Sequence, residues 1–339
     1  MEHYQIFCDA KKGTIKERIE QLHLQVSNYL QQEQMEGRRL QYTKIFLSDA
    51  ANQEAELKQS PLMQLLSDSA YTITQQPPVN GAKIAVLMKL SDEDDHFILN
   101  SIRLTDEEAA NKGSYVQTLM LFEKYLDSIK NTGMTLKDNC LRTWIYVRDI
   151  DANYAGVVKA RNDIFKQHGL TIDTHFIAST GIGGRTCERN VLVSMDFLTL
   201  PEVKKEDIKY LKALDHLNPT HEYGVAFERG TRLTLANKQL FYISGTASIN
   251  NKGEVLFEGD VVRQAERLQE NISALLADGG ATIDDVKYFI VYLRDIADAQ
   301  VIDDYMQQHF SSVPYIITHA NVCRPAWLIE MECIASKAI

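Results

Sequence analysis

Basic residues are in short supply in this chain. It carries 36 Lys and Arg against 46 Asp and Glu, a net charge of −10 over 339 residues. A phosphate backbone would be repelled, and no Lys/Arg-rich run offsets the imbalance, so nucleic-acid partners are disfavoured. Long apolar runs are missing too. None approaches the roughly 20 residues of a membrane span, so no membrane partner is expected. The opening stretch, "MEHYQIFCDAKKG", lacks the basic-then-apolar layout of a secretion signal. The five cysteines are odd in number and contain no CxxC pair, which points to reduced thiols and a cytoplasmic location. The nine histidines show neither HxxxH nor HxH spacing, so no metal site is expected. There is no G-x-S-x-G or paired Cys/His signature of nucleophilic catalysis. "STGIGGR" (179–185) fits neither the Walker nor the dinucleotide pattern, so it reads as a plain turn and no cofactor is implied.

What the chain does contain is a repeat. Three amphipathic helices are expected at 14–30, 114–130 and 260–276; in the last, Val262, Ala265, Leu268, Ile272, Leu275 and Leu276 recur at helical spacing. A strand follows each, at 42–50, 141–151 and 288–298. The second and third strands share a Y-x-R-D-I ending, at Tyr146–Ile150 and Tyr292–Ile296. Second helices follow, clearest at 152–169 and 299–310. Each unit then closes with a turn and a strand, at 77–90, 181–198 and 321–335. Units two and three open with hairpin-like strands, and turn signals at Ala236–Lys238 and Asn250–Gly253 mark the last of these. The expected class is therefore α+β, three tandem β-β-α-β-α-β units of roughly 100–115 residues with the first truncated. The boundaries expected are 1–92, 93–205 and 221–339, separated by an acidic loop near 92 and a polar, Pro-flanked stretch at 201–221.

This organisation resembles the RidA/YjgF fold, and the third unit carries the match in "ISGTASI", "GDVVRQAERLQENISALLADGGATIDDV" and "IEMECIA". Members of that family ordinarily form homotrimers with ligand sites at the subunit clefts. Three units in one chain then imply a covalent pseudo-trimer, as a monomer or weak homo-oligomer. A narrower resemblance is to the chorismatases, the chorismate hydrolases and 3-hydroxybenzoate synthases. "GTASI", "GDVVRQ", "VYLRD" and "VCRPAWLIEMEC" carry it, with "LRTWIYV" and "YGVAFERG" in support.

Chorismatases cleave the enolpyruvyl ether of chorismate and release pyruvate, a reaction that needs a carboxylic acid to protonate the methylene carbon. A glutamate does this only where burial keeps it protonated near neutral pH. The resemblance implies Glu330 as that acid, seven residues after Cys323. It gives Cys323 a role in shaping the product path, not in covalent catalysis. Two readings of Glu330 stand side by side: catalytic acid, or a structural carboxylate satisfied at an interunit contact. Carboxylates of a small-molecule substrate are matched by guanidinium forks. The candidates are Arg142, Arg185, Arg229 and Arg324, with Tyr146, Tyr223 and Thr246 as hydroxyl donors. The arginines of Arg148–Asp149 and Arg294–Asp295 read as interunit salt bridges.

The pattern also departs from its relatives. Two histidines of the chorismatases are replaced by Lys252 and Glu258. The carboxylate-holding arginine of the RidA imine deaminases is replaced by Ile316. An imine or enamine deaminase and a non-catalytic carboxylate-binding protein remain alternative functions.

Overall fold

The structure is a computed structural model that describes residues 2–10, 12–93 and 96–339; the side chain of Tyr223 lies outside the described residues. The first part of the chain runs β1 (Glu2–Cys8), α1 (Ile15–Met35), β2 (Arg39–Leu47), α2 (Ala50–Lys58), α3 (Pro61–Leu66), β3 (Ala70–Gln75) and β4 (Ile84–Ser91). The second runs β5 (Ile98–Ile102), α4 (Asp106–Ala109), α5 (Ser114–Ile129), α6 (Leu136–Asn139), β6 (Cys140–Val147), α7 (Ile150–Gln167), β7 (Ala178–Gly183) and β8 (Val193–Thr199). The third runs β9 (Ile208–Leu211), β10 (Gly230–Thr234), β11 (Lys238–Thr246), α8 (Val261–Gly279), β12 (Val286–Leu293), α9 (Ala299–Phe310), β13 (Tyr315–His319) and β14 (Ile329–Ala338).

Each part builds its own sheet. The strand orders are β1-β4-β2-β3, β5-β8-β6-β7 and β13-β12-β14-β11-β10-β9. In each, the strand after the first long helix pairs parallel with a short strand and antiparallel with the long closing strand. The helices cover one face. In α8, Ala265, Leu268, Ile272, Leu275 and Leu276 are buried against the third sheet, at about 1.5–3 kcal/mol for each large side chain. The helix starts where Asp260 accepts from the Arg263 backbone N–H at 3.0 Å and stops at Gly280, whose φ of 90° suits a residue without Cβ. The opposite faces meet at the junction of the three parts, where Tyr42 and Tyr288 hydroxyls lie 3.1 Å apart and Thr72 donates to Asp196.

The repeat is thus realised, with three corrections. Each unit closes with two strands, and the short ones, β3, β7 and β13, are not separated by the sequence reading. Strands of five or six residues carry too few alternations to stand out from a turn. "TGIGG" belongs to one of them: residues 178–183 form β7, not a plain turn. Its glycines permit close approach. A Cβ on Gly183 would lie 2.8 Å from the Asn321 backbone nitrogen, where Gly183 N–H instead donates to the Asn321 carbonyl at 2.9 Å. The second unit has the single opening strand β5 in place of a hairpin, and the polar stretch 201–221 contributes β9, which extends the third sheet beyond β10. The salt bridges also differ from expectation. Arg294 pairs across units with Asp151, but Arg148 pairs with its neighbour Asp149, at 3.8 Å, within the second unit.

Candidate active site

Register assigns equivalent positions across the three sheets. With the pairs Leu47–Ile84, Val147–Val193 and Leu293–Ile329 aligned, Phe46–Ala85, Tyr146–Ser194 and Tyr292–Glu330 coincide. The next pairs on the same face are Lys44–Leu87, Trp144–Asp196 and Ile290–Glu332. The position of Glu330 is therefore alanine in the first unit and serine in the second. Only the third closing strand offers an acid there.

Glu330 lines a cavity of about 540 Å³ between the second and third units. The second unit supplies Tyr154, Arg161 and Asn162 of α7 with Gly181 of β7. The third supplies Phe227, Arg229, Gly245, Cys323, Arg324 and Trp327. Glu330 is only 4% exposed. Burial pushes its carboxyl up to about 8; the nearby Glu332 charge adds to the rise, and Arg142 and Arg229 oppose it. It is therefore mostly protonated at neutral pH.

Behind it stands Glu332, two residues along the same strand face. Arg142 Nη2 donates to Glu332 Oε2 at 2.8 Å, Trp144 Nε1 donates to Oε1 at 2.8 Å, and the Thr180 hydroxyl donates to Oε2. Thr180 also accepts from the Gly245 backbone N–H at 2.8 Å, which draws Gly245 against Glu330. A Cβ at position 245 would lie 2.0 Å from Glu330 Oε1. Gly245→Ala is therefore expected to turn Glu330 out of its seat and cost at least tenfold in turnover while the protein stays folded; a kcat equal to that of the parent would refute this seating.

The predicted residues divide into two groups. Glu330, Cys323, Arg229 and Arg324 share the cavity. Arg229 Nη2 is braced by the Asn218 carbonyl and side-chain oxygens at 3.1 and 3.2 Å, and the Arg324 guanidinium lies 4.8 Å from the Trp327 ring centre. Burial pushes the Cys323 thiol up to about 12, and the Glu330 charge adds to this, so it is a wall residue and not a thiolate nucleophile. The other candidates stand elsewhere. Arg142 is buried behind the wall, engaged with Glu332, because its place on β6 aims it across the unit interface. Tyr146 donates to Asp196 at 2.8 Å at the three-unit junction. Thr246 is buried and donates to the Ser244 carbonyl at 2.9 Å. Arg185 is exposed, and its carbonyl accepts from the Gln75 N–H at 2.8 Å, stitching the second unit to the first. The Tyr223 side chain lies outside the described residues. Lys252 and Glu258 are exposed and do not line the cavity, and Ile316 is buried in β13.

Sequence reasoning missed Arg161. It is 1% exposed, lines the cavity, and its Nε and Nη2 have no hydrogen-bond partner. It sits on the buried face of α7 with Val157, Ile164 and Phe165, where an apolar stripe is expected. An arginine inside that stripe was the available signal.

Three sheets of like strand pairing meeting at one junction define a tandem chain of RidA-like units. A family model described as Endoribonuclease L-PSP matches residues 226–337. A RutC family protein of Pyrococcus abyssi (strain GE5 / Orsay) is 32% identical over 98 residues, covering 28% of this chain and 77% of that protein. A 3-hydroxybenzoate synthase of Streptomyces hygroscopicus is 24% identical over 247 residues, 66% of this chain and 68% of that one. Among solved structures, a chorismatase crystal structure superposes with a TM-score of 0.69 at 16% identity, covering 99% of this chain and 98% of the other. The chain belongs to the RutC family, and its whole length has the chorismatase fold. Among the described residues, no helix is long and apolar enough to cross a membrane.

Proposed function

We propose that the protein is an enzyme that cleaves the enolpyruvyl ether of chorismate or a closely related small carboxylate, with Glu330 as general acid. One observation carries this reading: a glutamate held protonated at neutral pH on the wall of a cavity that also presents arginines. Burial is what acid catalysis at a carbon atom requires, because an ionised carboxylate has no proton to give.

The chemistry balances without a cofactor. The Glu330 carboxyl transfers its proton to the methylene carbon, and the positive charge that develops on the ether carbon is stabilised by the carboxylate left behind. Water adds to that carbon and returns a proton to Glu330. The hemiketal then collapses to pyruvate and the ring alcohol. Arg229 and Arg324 hold substrate carboxylates as charge-assisted donors. Glu332, fixed by three donors, keeps Glu330 protonated between turnovers.

The likeness to the 3-hydroxybenzoate synthase over two thirds of the chain supports this choice over imine hydrolysis, as does Ile316 at the place of the deaminase arginine. The test is pyruvate release from chorismate, followed by coupling to lactate dehydrogenase. Stoichiometric pyruvate supports the reading. Absence of pyruvate from well-folded protein at saturating chorismate rejects chorismate as the substrate.

A further inference from the structure

The cavity wall holds more bases than the two carboxylates of chorismate would use. Four bases line it: Lys159, Arg161, Arg229 and Arg324. Two acids line it: Asp163, whose oxygen lies 2.9 Å from Lys159 Nζ, and Glu330. Lys159 and Asp163 pair with each other, and Arg229 and Arg324 are the arginines assigned above to substrate carboxylates. Two substrate carboxylates would occupy Arg229 and Arg324, which flank the loops beside Glu330.

Arg161 then remains. Its guanidinium lies 5.8 Å from the Phe227 ring centre, and its Nε and Nη2 have no acceptor in the protein. Two guanidinium nitrogens held this deep without acceptors forfeit their hydration and gain no hydrogen bond in exchange. Trp327 Nε1, also buried on this wall, has no acceptor either. The cleft therefore presents unfilled donors and no matching unfilled anion.

We propose that Arg161 receives a third anionic group, phosphoryl or carboxyl, so that the preferred substrate is an enolpyruvyl ether whose ring bears an anion that chorismate lacks. This deepens the reading of the site as an ether-cleaving one and rests on it for the enolpyruvyl part only. The anion subsite itself is testable without any turnover.

Shikimate and shikimate 3-phosphate differ by one phosphoryl group, and neither has an enolpyruvyl ether to cleave. In isothermal titration, the phosphorylated probe is expected to bind at least tenfold more tightly than shikimate. Arg161→Met should abolish that advantage while leaving shikimate affinity unchanged, and Arg161→Lys should retain part of it. If citrate instead shows the Arg161-dependent gain and the phosphorylated probe does not, the third group is a carboxylate and the proposal stands. Equal affinities for shikimate and its 3-phosphate, with no Arg161 dependence for citrate, would overturn it. So would equal losses of both shikimate probes in Arg161→Met. Folding does not confuse the result, because removing a buried cation with two nitrogens lacking acceptors should leave the unliganded melting temperature unchanged or raise it. Failure of pyruvate release, by contrast, would leave these binding differences intact.

Discussion

Glu330→Gln should abolish ether cleavage, lowering kcat by about a thousandfold or more, and at the same time make the protein more stable above pH 8. General acid catalysis by a positioned side chain contributes roughly 10²–10⁴, and here no second acid on the cavity wall can take over: Asp163 is paired with Lys159. The stability half follows from linkage. The Glu330 carboxyl is pushed up to about 8 in the folded protein, against an ordinary value of 4.5. Its favourable contribution to folding is present below the ordinary value and is lost as pH rises through about 8. Above that, folding requires a carboxylate in a dry wall. Glutamine has nearly the same shape and no charge to bury. The two proteins should unfold at similar urea concentrations at pH 5, and the variant should resist more urea at pH 9, by up to a few kcal/mol. Parental activity would exclude Glu330 as the acid; loss of activity with no gain at pH 9 would show that it is not held protonated. Parental turnover itself should fall as pH rises through about 8, because the working form is the acid.

Much of the fold was legible in the sequence, for a physical reason. Long helices and long strands repeat their apolar spacing enough times to be read, so α8, α9, β6 and β12 fall where periodicity puts them. Glu330 came from the resemblance, which places it seven residues after Cys323. Short parallel strands left no such trace, and β7 in particular hid behind its glycines. Those glycines answer to contacts with Tyr154 and Asn321, far away in sequence. The site arginines were only partly legible for the same reason. Arg142 and Arg229 both stand beside strand-like segments, but only the packing of the units sends one into the wall and the other into the cleft. Arg161 lay in a helix whose stripe reads as core, and nothing local says that its neighbours would leave it without acceptors.

Glu332→Gln should shift the high-pH limb of the activity profile to lower pH and cost roughly 3 kcal/mol of stability, although Glu332 does not line the cavity. Two effects push Glu330 the same way. The Glu332 charge, which raises the Glu330 carboxyl, is removed; and Arg142, which opposes the rise, is freed from its anionic partner. Glu330 then ionises more readily, and less of the working acid is present at any given pH above neutrality. The stability cost has a separate source. Arg142 is 1% exposed, and breaking a buried ion pair by removing one partner typically costs about 3–5 kcal/mol; glutamine, keeping one acceptor for Arg142 or Trp144, falls at the lower end. Lys44 shares in this. Its Nζ lies 3.9 Å from Glu332 and 5.5 and 5.1 Å from the Trp144 and Tyr146 ring centres, and burial already lowers its pKa against the pull of Glu332 and Asp196. Without Glu332, the ammonium loses one of the two carboxylates that support its charge and keeps Asp196 and the rings, so the first unit loosens its hold on the junction. A pH–rate profile separates the two consequences from a general loss of structure. A merely structural glutamate would lower kcat at every pH and leave the limb where it was; a limb that moves to lower pH shows that a residue outside the cavity sets the proton affinity of the acid within it.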